Sequence, residues 1–208
     1  FYIEEKPDFN IKGRGFNLTV NRRYRSQLAH ESSFGYGWTS EHHHRLHFME
    51  DESDELTPEV INYYDHEGHG YKLSKIGLDE NDSNLINYST PRRSKFEFVF
   101  NIEDNLYVLK RHDDLVLKFD LTGELNSKND LLGNSLVYAY TTIGAESIRV
   151  LEQVYEESYP TRSLVFSYDD ESLSFGVPKV KTITDFTGRI VTYEYSDDYQ
   201  DLVSFIDL

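Results

Sequence analysis

The sequence predicts an all-β fold, a long antiparallel sheet of successive hairpins. Three observations carry that prediction: the composition, a period-two alternation of apolar side chains from end to end, and a four-residue turn signal that recurs between the alternating runs. The 208 residues hold 16 Tyr, 13 Phe and one Trp but a single Met. Aromatic and β-branched side chains fit a pleated, half-buried surface, so this balance favours strands over helices. A chain of this length buries about 70% of its unfolded surface, enough for a sizeable core.

The alternating runs justify the strands in order. Phe16, Leu18, Val20, Arg22 and Tyr24 share one parity; so do Phe96, Phe98 and Phe100, then Leu115, Leu117 and Phe119, then Leu136, Tyr138 and Tyr140, then Leu164, Phe166 and Tyr168. Each set points to one face of a strand, and the intervening polar residues take the other. No segment has a helical period. Two acidic or polar stretches, Met49 to Pro58 and Gly77 to Asn84, interrupt the pattern. Dense charge without apolar anchors does not repay the entropy of ordering, so both are expected to be mobile loops. The alternating ligand spacing of a calcium loop is missing from them.

The turn signal is Asp-x-x-Gly, at Asp65 to Gly68, Asp120 to Gly123, Asp130 to Gly133 and Asp185 to Gly188. Asp in first position accepts hydrogen bonds from backbone N–H groups just ahead, and Gly in fourth position takes the positive φ that closes a hairpin. Strands ending in Tyr follow two of the tetrads, as LVYAY and IVTYEY. The repeated unit is therefore strand, turn, strand.

These tetrads and Tyr-ended strands, with the segment GRGFNLTVNRRYRSQ and the later FGYGW, resemble the Rhs or YD-repeat family. In that family's opening segment Leu-x-x-x-Arg-x-Tyr-x-Ser precedes Gly-x-Gly-Trp; the matching residues here are Leu18, Arg22, Tyr24, Ser26, Gly35, Gly37 and Trp38. The resemblance extends over most of the chain from about Gly13 onward. It implies a sheet that spirals into a hollow shell. In bacterial polymorphic toxins and the shell subunits of insecticidal toxin complexes such a shell encloses a toxic C-terminal domain, and in teneurins a similar barrel supports adhesion. Family shells carry many more repeats, and the Asp-Pro-rich self-cleaving segment of the toxin members is not found here. The resemblance thus implies one module over residues 1–208, with an opening motif at 13–48 and YD-like repeats at 60–208, exported as part of a secreted or cell-surface protein. The implied partners are the rest of the parent shell and its cargo domain.

Composition bears on partners too. With 21 Lys+Arg against 37 Asp+Glu the net charge is −16, which disfavours nucleic acid and anionic membranes. The absence of Cys rules out disulfides and thiolate metal sites and leaves the redox compartment unread. No run approaches the 18 or more apolar residues of a membrane span, and no signal segment opens the chain. The first residue, Phe1, is not an initiator Met, and the expectation is a section of something longer that pairs through its sheet edges with itself or with the remaining shell.

The stretch FGYGWTSEHHHRLH holds the only Trp and four of the eight His residues. Its glycines suit a bend or bulge, and Trp38 suits a large apolar contact, with ligand stacking as the functional alternative. If Glu41 to Phe48 is a strand, His42 and His44 share the face of Leu46 and Phe48, while His43, Arg45 and His47 take the other. Zinc needs three or four converging ligands, so a site there would require His66 or His69 to fold over. There is no Cys nucleophile, G-x-S-x-G, H-E-x-x-H or P-loop. The pairs Asp113-Asp114, Asp169-Asp170 and Asp197-Asp198 read as charges at hairpin ends that resist edge-to-edge pairing. The sequons at Asn17, Asn81 and Asn87 read as chance. The expectation is a non-enzymatic shell section without cofactor or metal; the rivals are an adhesion or glycan-binding module using the Tyr and Trp rings, and a metal-dependent hydrolase built on the histidines.

Overall fold

Alternating burial translates into strands almost everywhere in the computed structural model, which describes residues 2–13, 15–28, 30–49 and 57–207. The fold is nearly all β, in two compact units: Phe1–Glu41 with Leu136–Leu208, and His42–Ser135. Within each unit the strands that lie between Arg45 and Asp207 follow one another in strict sequence order as antiparallel sheet. The segment 50–56, most of the first acidic stretch, lies outside the described residues.

The His42–Ser135 unit holds β6 (Arg45–Phe48), β7 (Val60–Tyr64), β8 (Gly70–Leu78), β9 (Leu85–Ser89), β10 (Phe96–Asn101), β11 (Leu106–Arg111), β12 (Val116–Phe119) and β13 (Leu125–Asn129). Its core consists of Leu46, Ile61, Tyr63, Leu73, Tyr88, Phe96, Phe98, Phe100, Tyr107, Leu109, Leu117, Phe119 and Leu125, all on one face by strand parity. Each large apolar side chain contributes about 1.5–3 kcal/mol on burial. The sheet curls until the Leu46 N–H donates to the Gly123 carbonyl at 2.8 Å, and Arg45 bridges Glu124.

The other unit begins with β1 (Ile3–Ile11) and β2 (Leu18–Arg25), which form a three-stranded sheet with β5 (Trp38–Ser40); β3 (Glu31–Ser32) and β4 (Gly35–Tyr36) pair with each other. After residue 135 come β14 (Ser135–Ile143), β15 (Ile148–Glu156), β16 (Tyr159–Tyr168), β17 (Val180–Asp185), β18 (Ile190–Tyr195) and β19 (Leu202–Asp207). Within this unit the β1–β2 hairpin lies against the later strands. The Arg162 guanidinium donates to the Ile11 carbonyl at 2.7 Å and to Glu156 at 2.7 Å. Buried Lys179 donates to Glu31 at 2.5 Å and to the Val177 carbonyl at 2.9 Å.

Two local features differ from expectation. Asp170–Phe175 is a short 3-10 helix whose N-cap, Asp169, accepts from the Glu171 N–H at 3.0 Å. Side-chain capping of this kind lets a polar segment turn helically without an apolar period, so Asp169-Asp170, at the end of β16 where the chain turns toward its antiparallel partner β17, opens a short helix inside the hairpin connection. Gly77 and Leu78, in the second polar stretch, end β8, and beyond them Asp79 accepts from the N–H groups of Asn81 and Asp82 and from the Asn87 amide, at 2.8, 3.1 and 2.8 Å. Carboxylate-to-backbone bonds shape the turn there in place of apolar contacts.

Candidate functional site

The opening-segment residues converge on a buried ion pair. β2 alternates, so Leu18, Val20 and Arg22 turn inward. Opposite them the β1–β2 register shifts between Pro7 and Phe9, leaving Asp8 as the extra residue of a bulge. A bulge re-aims side chains, and both Asp8 and Phe9 are buried. The Arg22 guanidinium then grips the Asp8 carboxylate twice, at 2.5 and 2.8 Å. The Tyr193 hydroxyl donates to the same carboxylate at 2.7 Å, and Arg189 donates to the Asp8 carbonyl at 2.7 Å. Burial, and then the Asp8 charge, push the Tyr193 hydroxyl pKa far above its ordinary value, so it remains a donor.

Aromatic rings enclose the cation. Arg22 Cζ lies 5.0 Å from the Trp38 ring centroid, 5.0 Å from that of Tyr193 and 4.8 Å from that of Phe205. Trp38, half-buried, tilts against Tyr24 at 5.3 Å, and Tyr24 against Tyr2 at 6.2 Å. Ser26 ties its hydroxyl to the Tyr2 N–H at 3.1 Å and its own N–H to the Tyr2 carbonyl at 3.1 Å. Gly37 donates to the His30 carbonyl at 2.8 Å. Gly35 must be glycine: its φ is 98°, and a Cβ would stand 2.8 Å from the Gln200 carbonyl oxygen. The motif is thus one packed node in which every charge is answered. Such an arrangement holds β1, β2 and β18 together.

The four tetrads have one geometry. In each, the Gly N–H donates to the Asp carbonyl, at 2.9 Å (Gly68), 3.0 Å (Gly123), 3.4 Å (Gly133) and 3.0 Å (Gly188). Asp Oδ1 accepts from the N–H groups two and four residues on: Glu67 and His69, Thr122 and Glu124, Leu132 and Asn134, Thr187 and Arg189. The glycines sit at φ 80 to 91°. Two further turns of the same kind, lacking the Asp-x-x-Gly tetrad, fall where the Asp113-Asp114 and Asp197-Asp198 pairs mark hairpin ends. At Arg111–Asp114 and Ser196–Tyr199 the fourth N–H again donates to the first carbonyl, at 3.1 and 2.8 Å, and the positive φ falls on Asp114 (64°) and Tyr199 (56°). The Asp in Asp113-Asp114 had been the visible clue, since Asp tolerates that region; Tyr199 offered none.

The histidines separate as strand parity requires, although β6 starts only at Arg45. His42 and His44 are buried with Leu46; His47 is exposed. The Asp65 turn does fold over, placing the His66 ring 5.0 Å from that of His44. His44 Nδ1 is 2.8 Å from the Tyr63 hydroxyl, and the two rings stack. Burial, followed by the neighbouring His66, Lys128, Arg111 and His42, drives the His44 pKa well below its usual value, so the ring is neutral. Among the described residues no three His, Asp or Glu side chains are grouped to hold a metal ion. Beside this pair lies a cavity of about 340 Å³, lined in part by His44, Tyr63, Tyr71, Phe96, Arg93 and Lys95. Nothing in the alternation pointed to it; the basic run Arg92, Arg93, Lys95 in an acidic chain was the available signal.

Comparison with known proteins bears on the fold. Residues 1–72 match a domain of unknown function (DUF6531). No curated protein matches the chain. Among solved structures the chain is similar to the N-terminal domain of effector protein SpvB from Salmonella typhimurium strain LT2, with a TM-score of 0.60 at 10% identity over 94% of this chain and 95% of that one. It is also similar to part of the TcdB2-TccC3 crystal structure, with a TM-score of 0.52 at 12% identity over 99% of this chain and 16% of that one. The structure of TcdB2-TccC3-Cdc42 gives 0.50 at 11% identity, over 99% and 15%. The sheet of successive hairpins is therefore a fold shared with the N-terminal domain of effector protein SpvB and with a segment of a much longer chain of TcdB2-TccC3.

Proposed function

We propose that the chain is a non-enzymatic section of an Rhs-type shell, a length of wall around a toxic or effector domain carried C-terminally in an exported parent protein. The observation that carries the reading is the sheet itself: hairpins in sequence order, closed by one repeated turn, in a fold shared with an effector domain and with a segment of the TcdB2-TccC3 assembly. A sheet built this way extends by adding hairpins, and β19 has β18 as its only neighbour among the described strands. Its outer N–H and C=O groups are free to template the next strand of the parent shell or of a second copy. The mechanism is steric: a wall withholds what it encloses until it is breached. Limited proteolysis of the parent polypeptide tests this. The C-terminal domain is expected to resist protease until the β-sheet is unfolded by denaturant; cleavage at the rate of the isolated domain would refute the reading.

A further inference from the structure

The cavity in the His42–Ser135 unit combines two chemistries. Its volume, about 340 Å³, lies at the small end of the range for ligand sites. One wall is aromatic. The Tyr63 ring is 5.6 Å from those of Tyr71 and Phe96, and Tyr71 and Phe96 meet edge to face at 5.3 Å and 87°. The rim is cationic, with Arg93 and Lys95 from the turn preceding β10 and Arg111 from the end of β11.

The charges on this rim are not equally engaged. Asp65, the lining carboxylate, already accepts from the N–H groups of Glu67 and His69, both at 2.9 Å, and from the Tyr71 hydroxyl at 3.2 Å. Arg111 donates to Asp113 at 2.7 Å. Arg93 and Lys95 are exposed, and among the described residues no carboxylate pairs with either. In a chain of net charge −16, two uncommitted cations at the mouth of an aromatic cavity form a local field that attracts anions against the field of the whole. The rings offer stacking or edge contacts to a flat apolar group, favourable beyond the area they bury. The two chemistries lie within one small molecule's reach.

We propose that this cavity binds a small anion carried on a flat ring, an aromatic carboxylate or aromatic phosphate, with the ring against Tyr63, Tyr71 and Phe96 and the anionic group on Arg93 and Lys95. Arg offers a fork that matches either oxyanion, and Lys a point charge. The site requires nothing of a shell, so its failure and that of the proposed function are separate events.

Calorimetric titration at low salt with benzoate, phenyl phosphate, acetate and inorganic phosphate tests it. A ring-bearing anion is expected to bind at least about tenfold more tightly than its ringless counterpart, and the tighter of benzoate and phenyl phosphate identifies the preferred group. The double variant Arg93→Gln/Lys95→Gln is expected to lose at least about tenfold in affinity with an unchanged melting temperature, since both side chains are exposed. Added salt should weaken binding in the parent protein and little in the variant. No saturable binding of either ring anion, equal binding of ringed and ringless anions, or equal affinity in the double variant would overturn the proposal.

Discussion

Arg22 and Asp8 show how much a single residue pair carries. Both are almost fully buried, and the carboxylate's partners come from β2 and β18. Removing one member of such a pair strands the other charge in a low dielectric, which costs about 3–5 kcal/mol. Arg22→Ala is therefore expected to lower unfolding free energy by that amount in urea titration, and Arg22→Ala combined with Asp8→Ala by less than the two single losses added, because the second substitution removes the stranded charge. His44 gives a pH dependence of definite sign. Above about pH 6.5 the ring is neutral in both the folded and unfolded chain and contributes no slope. Below that, the unfolded chain takes a proton that folded His44, buried beside His66, Lys128, Arg111 and His42, refuses. Stability should fall as pH drops below about 6.5, by up to about 1.4 kcal/mol per unit for this one group. Urea midpoints between pH 7 and 5 for the parent and His44→Gln should diverge accordingly, the variant showing the shallower decline.

At the scale of the element, the hairpin turns separate backbone strain from crowding. Gly133 has φ 82° and nothing within 4 Å of where a Cβ would stand; Gly35 has φ 98° and the Gln200 carbonyl in the way. Gly133→Ala should cost about 1–2 kcal/mol, the penalty of a left-handed L-residue alone, and Gly35→Ala distinctly more. Equal losses in thermal denaturation would mean that the β4 neighbourhood yields easily. These turns were legible in the sequence because their chemistry is complete within five residues: an Asp, two backbone donors and a Gly. The inward parity of Leu18, Val20 and Arg22 was legible for the same reason, since alternation is local. The bulge that turns Asp8 inward was not, because it is set by the register with β2. Nor was the 3-10 helix after Asp169, which rests on a cap and on Ser172 donating to the Asp169 carbonyl at 2.5 Å.

Across the whole molecule, legibility falls with sequence separation. Strand order follows the sequence, so the meander could be read from hairpin signals alone. The node around Arg22 joins residues up to 185 positions apart, and the motif named Arg22 and Trp38 without naming Asp8, Tyr193 or Phe205. The basic cavity depends on the curl that brings the turn before β10 beside the Asp65 turn, which no spacing rule encodes. That same division has a consequence for synthesis. The His42–Ser135 unit is one uninterrupted stretch, whereas the other is assembled from both ends of the chain. On a ribosome the inserted unit can collapse as soon as it emerges, while Arg22 and Asp8 wait for Tyr193. At roughly 5–20 residues per second, that wait lasts on the order of 10 to 30 s. Throughout it the β1–β2 hairpin presents Leu18, Val20 and an unclosed ion pair to solvent, so it is the described segment that waits longest for its cover and has most need of a chaperone.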